Sequence, residues 1–249
     1  MITQTIFGKH AVRAALKSQP ERCQKLLVLA GASARVGDIE TAARAIGLNV
    51  QQRARDELDE LVAGGNHQGV VLHVTQTEQS YKESDLPALI RQSEDRALVL
   101  VLDGVQDPHN LGACLRSAEA IGVDVVVVPK DKSCDLTPTV RKVACGAAET
   151  VPFVRVTNLV RTLQSLQELG VWIAGAAGEA DMPVDEVDFD RSIAVVMGAE
   201  AKGLRQLTRK ACDYLFSIPM SGEIGSFNVS VACGICLYEA ARQRRVRSA

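Results

Sequence analysis

Three stretches of this 249-residue chain place glycines, amides and single charges directly after apolar runs, where an α/β protein puts its chemistry. The first follows the run 97–102 and reads Asp103-Gly-Val-Gln-Asp-Pro-His-Asn110-Leu-Gly112-Ala-Cys-Leu-Arg116. Asn110 has the side chain to cap a helix by accepting from an orphan N–H. Gly112 permits close approach of backbone or ligand. Arg116, in the second turn of an otherwise small and apolar helix, is a permanent cation that faces solvent, a carboxylate or a ligand. The second stretch, Met197-Gly198-Ala-Glu200-Ala-Lys202-Gly203-Leu, combines two glycines with a carboxylate, a turn whose backbone N–H groups suit a small-molecule contact. The third, Ile218-Pro219-Met220-Ser-Gly222-Glu-Ile-Gly225-Ser226-Phe227-Asn228-Val-Ser230, is rich in backbone and ends in a helix start with Asn228 as its N-cap. Three such loops exceed what a scaffold requires and together point to a ligand site.

Missing patterns narrow the chemistry. No G-x-G-x-x-G follows the first strand of the body or the run 192–197, and no G-x-x-x-x-G-K-[ST] occurs, which excludes the commonest nicotinamide and triphosphate sites. Cys233-Gly-Ile-Cys236 has C-x-x-C spacing but falls inside an apolar helical run. A redox pair opens a helix after a strand, so buried, reduced thiols are the reading for most of the seven cysteines. Histidines 10, 67, 73 and 109 show no metal-ligand spacing, and no metal is expected.

Periodicity supplies the elements that must hold these loops. Over 97–249, strands at 97–102, 123–129, 153–156, 171–176, 192–197 and 214–218 alternate with helices at 111–121, 137–149, 159–169, 206–211 and 229–242. Continuous apolar strands mean a parallel sheet buried on both faces, an α/β fold. Ahead of this body, helices at 8–16, 38–46 and 56–62 and strands at 25–29, 50–53 and 70–75 form a small α/β module. It carries a loop, 64–69, with three glycines and three polar side chains, which serves either as scaffold or for recognition. The expected organisation is a domain over 1–75, a linker with a short helix over 76–95, and a domain over 96–249.

Composition sets the outer bounds. Lys and Arg number 28 against 30 Asp and Glu, a net charge of -2, so any nucleic-acid contact must come from a local patch. Aromatics make up 4% of the chain, which argues against modules that stack bases on exposed rings. No apolar run approaches the roughly 18 residues of a membrane span. The N-terminus lacks the basic start and apolar core of a signal peptide, so a cytoplasmic protein is expected.

Together the segments Asn110-x-Gly112-x-x-x-Arg116, Gly198-Ala-Glu200-x-x-Gly203-Leu204 and Pro219-Met220 through Ser226-Phe227-Asn228-Val-Ser230 resemble, in order and spacing, the three motifs of the SpoU/TrmH family of RNA ribose 2′-O-methyltransferases, in the SPOUT class. Phe7-Gly8 and His67-Gln68-Gly69 are similar to that family's substrate-binding domain, so the likeness covers nearly the whole chain. It is strongest to members that methylate a guanosine of 23S ribosomal RNA in the peptidyl-transferase region. Two positions depart from the pattern: Ala201 stands where glycine is usual, and Phe227 where leucine is commoner.

The resemblance implies a trefoil-knotted SPOUT α/β methyltransferase domain behind a small N-terminal α/β RNA-binding domain, acting as a homodimer on 23S ribosomal RNA. It implies S-adenosyl-L-methionine as cofactor, held by Gly198, Ile218, Met220 and Phe227 largely through backbone. It also implies a catalytic set of Arg116, Asn110, Glu200, Ser226 and Asn228. A guanidinium with a pKa above about 12 is poorly suited to be the base that the family proposal makes of it. The preferred role for Arg116 is to bind the 2′-oxygen or a neighbouring phosphate and stabilise developing negative charge. Glu200 would orient it, and Asn110, Ser226 and Asn228 would hold the ribose or the loop. Two other readings stay open: a transfer-RNA methyltransferase of the same family, and a non-catalytic RNA-binding protein of ribosome assembly. The tail Arg242-Gln-Arg-Arg-Val-Arg247 reads as a solvated helix end, with RNA phosphate contacts as the alternative.

Overall fold

Leu26 and Val28 point to one side of their strand and Leu27 to the other, so that strand must be covered on both faces. It belongs to the first of two compact units, 1–79 and 80–249, in a computed structural model that describes residues 3–62, 64–75, 81–93, 96–199, 203–222 and 225–247. Unit 1 runs β1 (Thr3–Phe7), α1 (Lys9–Ser18), β2 (Cys23–Leu29), α2 (Ser33–Ala45), β3 (Asn49–Arg53), α3 (Arg55–Leu61) and β4 (Val70–Thr75). Its sheet has the order β1-β4-β2-β3, with only the β2–β3 pair parallel. Val12, Leu16, Val36 and Ile39 of α1 and α2 cover one face, and Leu58 of α3 with Val62 covers the other.

The edge strand β1 has no counterpart among the sequence-based elements. Its five residues, Thr-Gln-Thr-Ile-Phe, alternate too weakly to declare a strand, and pairing with β4 (Ile6 opposite Leu72, Phe7 opposite Val71) makes it one. The loop 64–69 is tied down from three sides. His67 is buried, its Nδ1 accepting from the Gly69 N–H at 3.0 Å and its Nε2 lying 3.2 Å from Asp59 Oδ1. Gln68, at φ 54, accepts the Lys9 N–H on its side-chain oxygen. A Cβ at Gly65 would fall 2.7 Å from the Phe7 ring and 3.1 Å from the Val62 carbonyl, so a larger residue would have to push that ring aside.

Unit 2 runs α4 (Leu86–Arg91), β5 (Leu98–Asp103), α5 (Pro108–Ile121), β6 (Val125–Pro129), α6 (Pro138–Ala144), α7 (Ala147–Thr150), β7 (Phe153–Val156), α8 (Leu159–Glu168), β8 (Trp172–Ala176), β9 (Ile193–Gly198), α9 (Gln206–Ala211), β10 (Tyr214–Phe216) and α10 (Val229–Arg247). All six strands are parallel, in the order β10-β8-β9-β5-β6-β7. Leu98, Leu100 and Leu102 face one core with α5, α6 and α10, whereas Val99 and Val101 face the other with α4 and α8. That division is the strand period of two, read on a doubly covered sheet.

Within the stretch 76–95, expected as a linker with a short helix, Tyr81 bridges to Val154, and Leu86, Leu89 and Ile90 are buried in the second core. Two expectations are corrected. The helix expected over 137–149 breaks in two, because Cys145 (φ 53) and Gly146 (φ 101) both take left-handed conformations. The arginine-rich tail is not a wholly solvated helix end. Arg244 turns inward and donates to the carbonyls of Phe189 at 2.9 Å, Arg96 at 2.7 Å and Arg191 at 2.9 Å, and burial holds its pKa below the usual guanidinium range. Gln243 donates to the Val187 carbonyl and accepts from the Phe189 N–H. The end of α10 is thus locked to the amino ends of β5 and β9. Replacing Arg244 by Met strands those carbonyls and is expected to cost about 2 kcal/mol in urea unfolding, against near-neutrality for Arg245→Met.

Candidate functional site

The central strands β5 and β9 lie side by side with Asp103 in register with Gly198, so the first and second loops leave the sheet together. Beyond β5 the strand order turns back, which makes this the switch point where ligands of open α/β sheets bind. Asp103 itself has no exposed side-chain surface. Its carboxylate accepts from the Arg205 backbone N–H at 3.1 Å, from Arg205 Nε at 2.5 Å, and pairs with Nη2 of the same guanidinium. The charge is tolerated because three donors replace the water it has lost. The pair also pins the far end of the second loop to the root of the first.

Within the second loop, Ala199 and Gly203 exchange two backbone hydrogen bonds at 3.1 and 2.8 Å, and Gly203 takes φ 60. A Cβ at Gly198 would overlap the backbone of Gly203 and Leu204, so glycine is required for the chain to fold back over itself. Glu200 lies outside the described residues, as do Ala201 and Lys202.

In the first loop the helix cap is not Asn110. Asp107 caps α5, accepting from the His109 N–H at 2.8 Å with Pro108 at the first helical position. Asn110 is thereby carried inside the first turn, where it is 9% exposed. There its Oδ1 accepts from Asn228 Nδ2 at 3.1 Å. Asn228 does cap α10: its Oδ1 accepts from the Ser230 N–H at 2.9 Å and from Ser230 Oγ at 2.6 Å. The amide therefore has its oxygen committed to the helix and its nitrogen committed to Asn110. The first and third loops are joined by this bond.

Gly112 serves packing rather than a ligand: a Cβ there would lie 2.6 Å from Val143 Cβ, so its absence lets α5 and α6 touch. Arg116 is exposed and donates from Nη1 to Cys145 Sγ at 3.7 Å, a weak acceptor, and no carboxylate pairs with it among the described residues. In the third loop Ile218 packs partly buried against the core, whereas Met220 (38%) and Phe227 (41%) are exposed. Ser226 is exposed and makes no hydrogen bond among the described residues. The structure thus brings Asn110 and Asn228 into contact and sets Gly198 beside the root of the first loop. Asp103, Arg205 and Cys145 escaped the sequence reading. The sole signal for the first was a carboxylate closing an all-apolar strand, Leu-Val-Leu-Val-Leu-Asp103.

The C-x-x-C thiols lie deep in the core. A hydrogen bond with Cys114, then burial, pushes the Cys233 thiol well up, and burial takes Cys236 to about 12, which disfavours the thiolates that redox or metal chemistry needs. Cys145, in contrast, is exposed.

Residues 97–238 match the SpoU rRNA Methylase family, and residues 5–80 match the RNA 2′-O ribose methyltransferase substrate binding family. The chain belongs to the SpoU methylase family. It is 52% identical to the 23S rRNA (guanosine-2′-O-)-methyltransferase RlmB of Vibrio cholerae, over 98% of each chain. Identity to RlmB of Escherichia coli K12 is also 52%, over 98% of this chain and all of the relative. Among solved structures, the SpoU methyltransferase AviRb of Streptomyces viridochromogenes superposes with a TM-score of 0.76 at 24% identity, covering 98% of this chain and 91% of its own. An RNA 2′-O ribose methyltransferase gives 0.75 at 26% identity, covering 98% of this chain and 89% of its own. In this SpoU methylase the described parts of the three loops leave the sheet at the carboxyl ends of β5, β9 and β10. Asp103→Asn, which turns an amide N–H toward the Arg205 donors, is expected to lower stability by about 1–3 kcal/mol. It should also speed limited proteolysis within 198–205; an unchanged cleavage rate would mean that the loop is held by other contacts.

Proposed function

We propose that this protein transfers a methyl group from S-adenosyl-L-methionine to the ribose 2′-oxygen of a guanosine in 23S ribosomal RNA. The observation that carries the reading is full-length identity of 52% to RlmB methyltransferases, front unit included. Such a substrate places the work in the bacterial cytoplasm, where ribosomes are assembled.

The third loop suits the cofactor. Among the described residues, the backbone groups of 218–222 and 225–227 pair with no other backbone, which leaves N–H and C=O groups for the polar edges of an adenine or an amino-acid moiety. Ile218, Met220 and Phe227 add apolar surface, and Gly198 lies at the switch point. When bound there, the cofactor would supply an electrophilic methyl on a sulfonium, and because the leaving thioether would be neutral the protein need supply no general acid.

What the protein must supply is alignment and stabilisation of an oxygen losing its proton. Among the described residues Arg116 is a cation whose one side-chain contact is a thiol, which suits it to take the 2′-oxygen or an adjacent phosphate. The Asn110–Asn228 bond fixes the loop that would carry the ribose, with Ser226 two residues away. Glu200 is assigned the orienting role for Arg116. A trefoil thread through the second and third loops is part of this reading, supported by the return of α10 from beyond the edge strand β10 to pack on α5 and β9. So is a homodimer: Val231 (50% exposed) and Tyr238 (58%) stand seven residues apart on one face of α10, an apolar stripe adjoining the loop.

Labelled methyl transfer to unmodified 23S rRNA, followed by alkaline digestion, is expected to yield an alkali-resistant dinucleotide containing guanosine. Arg116→Ala should lower transfer by about 100-fold, as loss of one charge-stabilising donor does, while cofactor binding persists. Transfer to transfer RNA alone would replace the substrate, and failure to bind the cofactor would return the protein to a non-catalytic role. Sedimentation should give a dimer of the 26.7 kDa chain that Val231→Asp with Tyr238→Asp converts to monomer.

A further inference from the structure

We infer that Lys130, Lys132 and Lys142 form a phosphate-gripping edge by which unit 2 holds the RNA strand beside the ribose it methylates, an inference that rests on the rRNA reading above. Residues 80–249 carry 19 Lys and Arg against 22 Asp and Glu, so the general field of this unit does not attract a polyanion. Attraction must come from cations that the fold has not already used.

Apart from Arg116, the described arginines near this end of the sheet are used. Arg141 pairs with Glu149, Arg155 with Asp135, Arg205 with Asp103 and Arg209 with Glu179. Lys130, Lys132 and Lys142 are exposed, and no carboxylate pairs with any of them among the described residues. Asp131 is the exposed acid between the first two and Asp107 the exposed acid of the adjoining first loop, so three lysines against these two carboxylates leave an excess of one positive charge.

Their placement is what distinguishes them from scattered surface lysines. Lys130 and Lys132 sit in the loop leaving β6 at its carboxyl end, the end where the motif loops lie. That loop is seated on the first motif loop: the Cys134 N–H donates to the Val105 carbonyl at 2.9 Å. The position a Cβ would take at Gly104 is 3.7 Å from the Lys132 carbonyl and 3.8 Å from Ala199 Cβ, so three loops meet there. The Lys130 backbone is held on both sides, its N–H on the Val156 carbonyl at 2.8 Å and its own carbonyl by Arg155 Nη2 at 3.1 Å. Its ammonium group is left to solvent on a fixed base. Lys142 stands on α6 one turn before the break, and its carbonyl lies 3.7 Å from Cys145 Sγ, the same sulfur that Arg116 reaches. The three lysines thus border the first loop on one side and Arg116 on the other.

The test measures affinity of the full chain for unmodified, transcribed 23S rRNA by filter binding across a KCl series, with Lys130→Gln, Lys132→Gln and Lys142→Gln combined. Each phosphate contact to a single strand contributes a slope of roughly 0.7 in log affinity against log salt, so the triple variant should be shallower by about 2. Its affinity for S-adenosyl-L-methionine, followed by calorimetry, should persist and reports that the unit is folded. The corresponding triple Lys→Arg variant should restore the slope, and Lys210→Gln, on the far end of α9, should leave it unchanged. A wild-type slope in the glutamine variant, with cofactor binding intact, overturns the lysine edge alone. Absence of methyl transfer to 23S rRNA by the wild-type chain overturns the substrate reading and this inference with it.

Discussion

A carboxylate without water contact sits at the carboxyl end of the central strand, and the geometry of the site follows from how it is satisfied. Asp103 is in register with Gly198, so its position is set by the β5–β9 ladder rather than by a loop. Its three donors all come from Arg205, which closes the second loop and starts α9. A buried charge is costly unless each lone pair finds a donor, and that cost becomes a constraint: the loop must return to the same place. Gly198 and Gly203 are what allow it to do so without a clash.

The amide pair Asn110–Asn228 plays a similar part between the first and third loops. Each amide has distinct ends, and Ser230 claims the oxygen of Asn228, so only one orientation satisfies both contacts. Because Asp107 performs the capping, Asn110 is released from a local task and becomes available for a tertiary one. Pro108 reinforces this by starting the helix one turn earlier than the apolar pattern suggests.

Cations divide by chemistry. The arginines bind in planar forks to carboxylates or, for Arg244, to a set of carbonyls that anchor the last helix. Lys130, Lys132 and Lys142, beside the first motif loop, stay in solvent. Among the described residues Arg116 is the exception in this region, its contact a sulfur where its neighbours hold carboxylates, and this difference sets it apart more clearly than its exposure does.

Much of the architecture was legible in the residues themselves. Alternation of apolar runs declared a parallel sheet with helices on both faces, and glycines after those runs located the loops, because burial period and backbone freedom are local properties. The Asn228 cap was readable for the same reason, since its partner Ser230 is two residues away. Local patterns could not show that Asp103 meets Arg205 or that Asn110 meets Asn228, pairs separated by 102 and 118 residues. The strand β1 exists only because β4 offers it a ladder, the break at Cys145 depends on how α6 and α7 close around α5, and Arg244 leaves solvent because three orphan carbonyls await it. Sequence determined which residues could act and on which elements they ride; which of them touch was decided by the sheet order, because hydrogen-bond partners are chosen by proximity in space and not along the chain.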